Sequence, residues 1–277
     1  MATGILRIQA FAARQSAPVE GVTVNIVGDG FTAARMTDAE GNAADVTLTA
    51  PDCALSLEED NTTRLPYAVC SLTASKAGYR TVRIQGIQVF AGQVTLAQPE
   101  MIPETEEDRD VENPPIVIPP HPLFAGGGGS GRAPADPCAP RVLDRVIIPK
   151  NITVHLGKPA ASARNVTVSF RRYIANVASS EVYPTWPESA LRANIHCQIS
   201  LALNRIYTEW YPSRGYSFNI TNSTSYDQYY VHGRTVFDVM VRLTDDIFNT
   251  YLRKTGTVNP YYSEYCDGKS VTCPGLK

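Results

Sequence analysis

The acid most suited to chemistry in this sequence is Glu181, which lies between two helical patterns and beside aromatic residues. No basic residue occurs from Tyr173 to Leu191, so no sequence neighbour supplies a cation to keep this carboxyl ionised. A carboxyl flanked by Val182, Tyr183 and Trp186 can retain its proton near neutral pH, as a general acid must. From the residues alone, however, a solvated glutamate at a helix end is the simpler interpretation.

A second acid in the same stretch, Glu188, is expected to stabilise the start of a helix. Thr185 is suited to be a helix N-cap, and Glu188 then falls at the third helical position, which completes a capping box. Pro187 lies in the first turn, where its missing N–H costs little. The sequence therefore predicts a structural role for Glu188.

Two helices must position Glu181, one before it and one after it. Apolar residues before it recur at relative positions 0, 3, 4, 7 and 8, which is one face of a helix. A longer pattern with spacings of four, four, three, four and four follows it and predicts a second helix. The apolar positions are Phe170, Tyr173, Ile174, Val177 and Ala178 in the first pattern, and Leu191, Ile195, Ile199, Ala202, Ile206 and Trp210 in the second.

An aromatic segment follows the second helix. It contains Trp210, Tyr211, Tyr216, Phe218, Tyr226, Tyr229 and Tyr230. Aromatic rings at this density either pack a core or offer faces on which sugar rings stack. The polar residues from Asn219 to Ser225 are of the types that bind hydroxyl groups, so both interpretations stay open.

Composition and charge limit the classes of function. The net charge is −3 over residues 1–100, −4 over residues 101–141 and +5 over residues 142–277. A basic run and a nucleic-acid-binding motif are both missing, so no nucleic acid partner is predicted. The sequence also lacks an apolar stretch of membrane-spanning length and an export signal, which predicts synthesis in the cytoplasm and no membrane partner.

The six cysteines lack the spacing of a metal site. Disulfides between Cys53 and Cys70 or between Cys266 and Cys273 are alternatives to free buried thiols. Because nothing marks the chain as exported, free thiols are favoured.

Residues 1–100 are predicted to form a small β-sandwich of about seven strands. The expected strands include Gly4–Phe11, Val19–Val27, Ala43–Leu48, Tyr67–Ser75, Tyr79–Ile84 and Ile87–Leu96. The order of strands and turns, with Asp38–Gly41 and Ala77–Tyr79, resembles that of transthyretin-like and carboxypeptidase-regulatory-like modules. Such modules are usually accessory domains.

Residues 101–141 are predicted to be an acidic linker rich in proline and glycine. Its run Gly126–Gly131 is not followed by Lys-Ser/Thr or a helix, so it is a tether and not a phosphate loop. Residues 142–277 are predicted to form the functional domain, with strands at Val142–Ile148, Asn151–Leu156 and Asn165–Val168 before the two helices. The expected fold class is therefore α+β.

Several separated blocks within residues 142–277 carry a family resemblance. They are Val177–Pro187, Asn204–Tyr211, Arg214–Tyr216 and Ile220–Thr224. Together they resemble the catalytic domain of the stage II sporulation protein D superfamily, and within it the spore cortex-lytic enzymes of clostridial type.

The resemblance implies a peptidoglycan lytic transglycosylase that cleaves glycan strands with a single catalytic glutamate. That glutamate falls on Glu181, and a second catalytic residue of the family falls on Tyr262. Candidates for binding the substrate are Tyr183, Trp186, Thr224, Asp227 and Gln228. If Asp227 were a second catalytic carboxylate, the reaction would be hydrolysis.

The resemblance also implies a setting. Activity is expected in the spore cortex and coat region during germination, after a germination protease activates a proform by cutting in the linker before Val142. No cofactor is implied, and the cysteine of the family's zinc-binding block is missing from Ser225–Tyr229. Relatives extend beyond the position of Lys277, so the chain is expected to lack a C-terminal segment.

Two other classes of function remain as alternatives. One is a non-catalytic protein that binds peptidoglycan or enhances another wall enzyme. The other is a component of a phage or injection apparatus in which the sandwich is a structural module.

Overall fold

The computed structural model describes residues 2–12, 17–58, 61–105, 113–125, 142–253 and 255–263. The described residues form a mixed α+β structure, which confirms the expected fold class. They group into two compact units. Unit 1 comprises Met1–Ala125, Tyr183–Thr185 and His232–Val239, and unit 2 comprises Gly126–Val182, Trp186–Val231 and Met240–Lys277.

The elements follow the chain in this order. The strands are β1 (Ala2–Gln9), β2 (Phe11–Ala12), β3 (Ala17–Pro18), β4 (Thr23–Gly28), β5 (Phe31–Met36), β6 (Asn42–Ala50), β7 (Ala68–Ser75), β8 (Val82–Val89), β9 (Val94–Ala97), β10 (Ile116–Val117), β11 (Asn151–His155), β12 (Asn165–Ser169), β13 (Ile220–Thr221) and β14 (Val236–Phe237). The helices are α1 (Pro122–Ala125), α2 (Phe170–Glu181), α3 (Glu188–Tyr207) and α4 (Asp238–Ile247).

Unit 1 is a β-sandwich. One sheet has the strand order β14-β9-β1-β6 and the other the order β10-β8-β7-β4-β5. Alternate residues of both sheets enter one hydrophobic core, as strand geometry requires. Val22, Val24 and Ile26, which the alternating pattern placed on one face, are each fully buried.

Strand β8 differs from the prediction of separate strands Tyr79–Ile84 and Ile87–Leu96. It runs without interruption from Val82 to Val89, and its pairing with β7 shifts register between Cys70 and Leu72. Gly86 adopts a left-handed conformation (φ +75°) at this bulge, and a Cβ there would overlap the carbonyl oxygen of Ile118. Glycine therefore lets one strand continue where the sequence suggested a break.

Part of the segment assigned to the linker belongs to unit 1. Ile116 and Val117 pair in parallel with β8, and Ile118 is 3% exposed within the core. Within the predicted linker, residues 106–112 and 126–141 lie outside the described residues, and nothing in the structure tests the predicted cleavage in the linker.

Unit 2 contains a three-stranded sheet of order β12-β11-β13 and the helices α2 and α3. The predicted strand Val142–Ile148 does not form, and Leu143 instead donates its backbone N–H to the carbonyl of Tyr207. Strands β11 and β12 pair antiparallel along their full length and lead directly into α2.

Cys53 and Cys70 are free thiols, so no disulfide joins them. Cys53 is exposed, whereas burial raises the pKa of Cys70 to about 12. Cys266 and Cys273 lie outside the described residues.

Candidate active site

Glu181 is the last residue of α2. The helix begins after Ser169, whose hydroxyl accepts a hydrogen bond from the backbone N–H of Arg172, a standard N-cap interaction. The predicted apolar positions Tyr173, Ile174, Val177 and Ala178 are fully buried, which fixes the rotation of α2 and with it the direction of Glu181.

Two neutral donors bind the Glu181 carboxyl group. The backbone N–H of Tyr229 donates to Oε1 at 2.9 Å, and Gln198 Nε2 donates to Oε2 at 2.8 Å. Gln198 Nε2 also lies 3.2 Å from Asn194 Oδ1. One donor thus comes from α3 and the other from the segment that follows β13.

The electrostatic environment of Glu181 favours its protonated form. Burial raises its pKa from the ordinary 4.5 to about 8, although the hydrogen bonds from Tyr229 and Gln198 act in the opposite direction. The residue keeps part of its surface exposed to solvent, but its carboxyl group is buried among protein atoms. At neutral pH this group therefore carries a proton that it can donate.

The segment Asp227–Val231 is held in place so that the Tyr229 N–H meets Glu181. The side chain of Gln228 accepts a hydrogen bond from Tyr173 Oη at 3.0 Å and donates one to the carbonyl of Gln198 at 3.1 Å. Asn176 binds both backbone groups of Val231, at 2.8 and 3.1 Å. Gln228 is 1% exposed, so its contacts favour positioning of the segment over direct contact with a substrate.

Asp227 lies in a buried ion pair. Its Oδ1 is 2.7 Å from Arg205 Nε, and its Oδ2 accepts hydrogen bonds from Tyr211 Oη, Thr221 Oγ1 and the backbone N–H of Thr221. The side chains of Arg205 and Asp227 are 4% and 0% exposed. Because four protein donors already surround the carboxylate, this geometry favours a structural role for Asp227.

Tyr262 lies on the other side of the same arginine. Arg205 Nη2 donates to its hydroxyl at 3.2 Å, and the guanidinium group lies 4.9 Å from its ring centroid. The residue is 36% exposed. A hydroxyl bound by a cationic donor on a partly accessible residue can bind an incoming polar group.

The other predicted substrate-binding residues differ in accessibility. Tyr183 belongs to unit 1, where it is 6% exposed and packs on Phe90 and His121 with ring centroids 5.3 and 4.5 Å away. An enclosed ring of this kind favours packing over sugar stacking. Trp186 is half-buried and Thr224 is exposed, so both keep accessible surface.

The predicted capping box is wrong. Pro187 occupies the N-cap position of α3, and no side chain caps the helix. The Thr185 hydroxyl lies 2.6 Å from Ser56 Oγ, and Glu188 pairs with Arg192 at 2.9 Å. Glu188 is therefore structural, but through a salt bridge one helical turn away instead of a cap.

Three of the seven rings in the aromatic segment are packed in the interior. Tyr211, Phe218 and Tyr230 are 2 to 4% exposed, and the rings of Tyr211 and Phe218 lie 4.8 Å apart. Trp210 and Tyr229 keep more surface. Core packing thus accounts for the three most enclosed rings.

Sequence reasoning missed Gln198 and the Tyr229 N–H as donors to Glu181. Gln198 had a detectable signal, because it lies seven residues after Leu191 and four before Ala202, on the apolar face of α3. A glutamine buried at such a position needs a polar partner. The Tyr229 donor is a backbone group, so no residue type marked it.

Among the described residues, no group of three or more His, Cys, Asp or Glu side chains is placed to hold a metal ion. The helices of that same part of the chain include none that is long and apolar enough to cross a bilayer.

Comparisons with known proteins give only distant likenesses. No family model matches the chain, and no curated protein matches its sequence. Similar solved structures include the Bacillus anthracis TIE protein, with 16% identity, a TM-score of 0.26, and coverage of 37% of this chain and 17% of that one. A mercury-inhibited catechol 1,2-dioxygenase from an Acinetobacter species gives 15% identity, a TM-score of 0.28, and coverage of 42% and 58%.

Klebsiella pneumoniae 5-hydroxyisourate hydrolase is also similar, with 21% identity, a TM-score of 0.21, and coverage of 37% of this chain and 94% of that one. The chain spans less than two thirds of the length of the TIE protein and of the dioxygenase. At these TM-scores the likenesses carry no argument about activity.

Proposed function

We propose that unit 2 is a peptidoglycan lytic transglycosylase in which Glu181 is the catalytic acid and base. The observation that carries this proposal is the Glu181 carboxyl, which burial keeps protonated at neutral pH while neutral donors hold both of its oxygens. The resemblance of residues 142–277 to the sporulation protein D superfamily supplies the class of substrate.

The proposed reaction needs one carboxyl group. Glu181 donates its proton to the glycosidic oxygen as the bond from that oxygen to the anomeric carbon of muramic acid breaks. The C6 hydroxyl of the same sugar then attacks the anomeric carbon and returns its proton to Glu181. A 1,6-anhydro ring forms, no water is consumed, and the carboxyl regains its initial state.

Hydrolysis would require a second carboxylate beside the scissile bond. Asp227, the residue considered for that role, is enclosed by Arg205, Tyr211 and Thr221. A carboxylate with these partners is poorly placed to activate water, which supports the transglycosylase over the hydrolase.

Three accessible side chains are proposed to contact the glycan strand. Tyr262 offers a hydroxyl bound by Arg205, Trp186 offers an aromatic surface, and Thr224 offers an exposed hydroxyl. Gln228 and Asn176 act indirectly in this proposal, because they hold the segment that carries the Tyr229 N–H.

The setting is proposed on the resemblance alone: spore cortex during germination, with activation by proteolysis in residues 126–141. The sandwich of unit 1 is proposed to be a transthyretin-like accessory domain. Two sheets that share one core support this assignment.

Product analysis tests the function. The full chain, before and after cleavage in residues 126–141, is incubated with purified cortex peptidoglycan, and the products are separated and weighed by mass spectrometry. We expect 1,6-anhydromuramic ends that disappear in Glu181→Gln. Reducing ends without anhydro products would identify a hydrolase, and glycan binding without any product would identify a non-catalytic binding protein.

A further inference from the structure

Unit 1 is assembled from both sides of residues 126–141. Residues up to Ala125 supply nearly all of the two sheets, and Tyr183–Thr185 and His232–Val239 complete the unit from the later half of the chain. These two short stretches make apolar, strand and polar contacts with the sandwich.

The apolar contacts centre on Phe90, which is fully buried. Its ring lies 5.1 Å from that of Tyr67, 5.3 Å from that of Tyr183 and 5.3 Å from that of Phe237. Two of these three neighbours belong to the later stretches. Phe237 is itself fully buried, so separation would expose large aromatic surfaces on both sides.

The strand contact lies at the edge of a sheet. Strand β14 pairs antiparallel with β9, with Val236 opposite Leu96 and Phe237 opposite Thr95. Without β14, the outer edge of β9 would lose its partner, and an uncovered edge strand is an aggregation hazard.

Polar contacts and one close backbone contact also hold the later stretches against the sandwich. The Thr185 and Ser56 hydroxyls lie 2.6 Å apart, and Arg234 Nη2 lies 3.5 Å from Oε1 of Gln88, which is 1% exposed. Gly233 precedes β14 with φ +79°, and a Cβ there would lie 2.9 Å from the Ile116 side chain. The positive φ favours glycine here, and its small size lets the backbone lie against Ile116.

We propose that cleavage within residues 126–141 does not separate the two parts of the chain. The N-terminal fragment instead stays bound as a noncovalent complex, because β14 and Tyr183 of the C-terminal fragment remain part of its sandwich. Proteolytic processing consequently nicks the protein without releasing the accessory domain. The binding itself does not depend on the proposed enzymatic activity.

The experiment uses the full chain with a sequence-specific protease recognition sequence in place of Gly126–Gly131. After complete cleavage, the two fragments are separated by size-exclusion chromatography in native buffer and, as a reference, in guanidinium chloride. We expect a single native peak that contains both fragments at micromolar and nanomolar concentrations. Elution of the fragments apart in native buffer would overturn the proposal.

Two substitutions test the assigned contacts. Phe237→Ala and Tyr183→Ala remove the rings that cover Phe90, and each is expected to raise the Kd of the fragment pair on the order of a hundredfold. Val258→Ala is the control, because it truncates an apolar side chain of the later half that is 61% exposed. Circular dichroism of each uncut variant establishes that it is folded before cleavage.

If both variants bound the N-terminal fragment as tightly as Val258→Ala, the contacts named above would not hold the complex. The readout is separate from that of the proposed function. A nicked complex that makes no anhydro product would reject the transglycosylase proposal but support the proposed complex. Fragments that separate while anhydro products still form would reject the complex and support the transglycosylase.

Discussion

Gln198 Nε2 donates a hydrogen bond of 2.8 Å to Glu181 Oε2, and so an amide on α3 is joined directly to the carboxyl at the end of α2. The donors Gln198 and Tyr229 stabilise the ionised form of this carboxyl, yet burial outweighs them and its pKa rises to about 8. Gln198 therefore limits how far the pKa of Glu181 rises.

Replacing Gln198 with methionine should raise the pKa of Glu181 further. The substitution keeps the length of the side chain but removes the donor, and a hydrogen bond to a charged group is worth about 1.5–3 kcal/mol, or roughly one pKa unit or more. A ¹³C NMR titration of selectively labelled glutamate measures this directly. The alkaline limb of the pH–activity profile should move to higher pH by a similar amount.

Gln93→Met, at a half-buried glutamine of unit 1, serves as the control and should leave both quantities unchanged. A pKa that stayed the same or fell in Gln198→Met would show that the amide does not stabilise the ionised carboxylate.

The stability of unit 2 should depend on pH through Glu181. Folding raises the pKa of this acid from 4.5 to about 8. The stability that Glu181 contributes is therefore fully present below about pH 4.5 and is lost as the pH rises through 8. The glutamine in Glu181→Gln does not titrate. The unfolding free energy of the variant minus that of the wild type should therefore rise by a few kcal/mol between pH 5 and pH 8.5. Urea unfolding followed by tryptophan fluorescence reports this unit, since Trp186 and Trp210 both lie in it.

Glu188→Gln provides a control of opposite sign. The hydrogen bond from Arg192 lowers the pKa of Glu188, so that carboxylate stabilises the fold above its unfolded pKa and its effect is constant between pH 5 and pH 8.5. A stability difference for Glu181→Gln that also stayed constant over this range would contradict the raised pKa.

Patterns within a few residues predicted the structure well. The positions of Tyr173, Ile174 and Val177 follow from helical spacing, and the buried face of β4 follows from alternation of apolar residues. The same reasoning placed Glu181 at a helix end, because the apolar pattern stops there. In each of these cases the buried positions depend only on the residues of a single helix or strand.

Interactions between distant residues were not predictable in this way. Thr185 matched a capping signature, but its hydroxyl found a partner in Ser56, 129 residues away. Strand β14 has only two residues and shows no period. The Tyr229 N–H is a backbone donor, whose direction depends on buried contacts made by Gln228 and its neighbours.

Asp227→Asn distinguishes a structural from a catalytic carboxylate. The change leaves the Arg205 guanidinium, 3% exposed as a residue, without its charged partner, and loss of one member of a buried pair costs about 3–5 kcal/mol. We expect a large fall in the urea midpoint of unit 2. Asp227 belongs to the segment Asp227–Val231, which carries the Tyr229 N–H that binds Glu181. Activity per folded molecule should therefore decline only to the extent that the substitution displaces this segment.

Asp245→Asn is the matched control, because Asp245 pairs with Arg171 at 3.2 Å on the surface and both side chains are about half exposed. That pair should contribute no more than about 1 kcal/mol. If Asp227→Asn abolished activity with no loss of stability, Asp227 would be a catalytic group and the reaction class would have to be revised.

Tyr262→Phe tests the role of the hydroxyl that lies beside Arg205. The variant keeps the ring that lies 4.9 Å from the guanidinium group and removes the hydroxyl that accepts the 3.2 Å hydrogen bond from Arg205. A hydroxyl that contacts the glycan strand contributes to transition-state binding, so kcat/KM on cortex peptidoglycan should fall at least about tenfold. The unfolding free energy should change by about 1 kcal/mol or less, since the lost bond is partly exposed.

The comparison is with Tyr207→Phe, which removes another tyrosine hydroxyl of the same unit, one that donates to a neutral acceptor, Asn259 Oδ1, at 3.0 Å. Tyr207 is 7% exposed, so its hydroxyl is not accessible to a glycan strand. Loss of its hydrogen bond should lower stability slightly and leave kcat/KM near the wild-type value. Equal activity in the two variants would assign Tyr262 to packing around Arg205. A selective loss in Tyr262→Phe would instead place its hydroxyl in contact with the substrate.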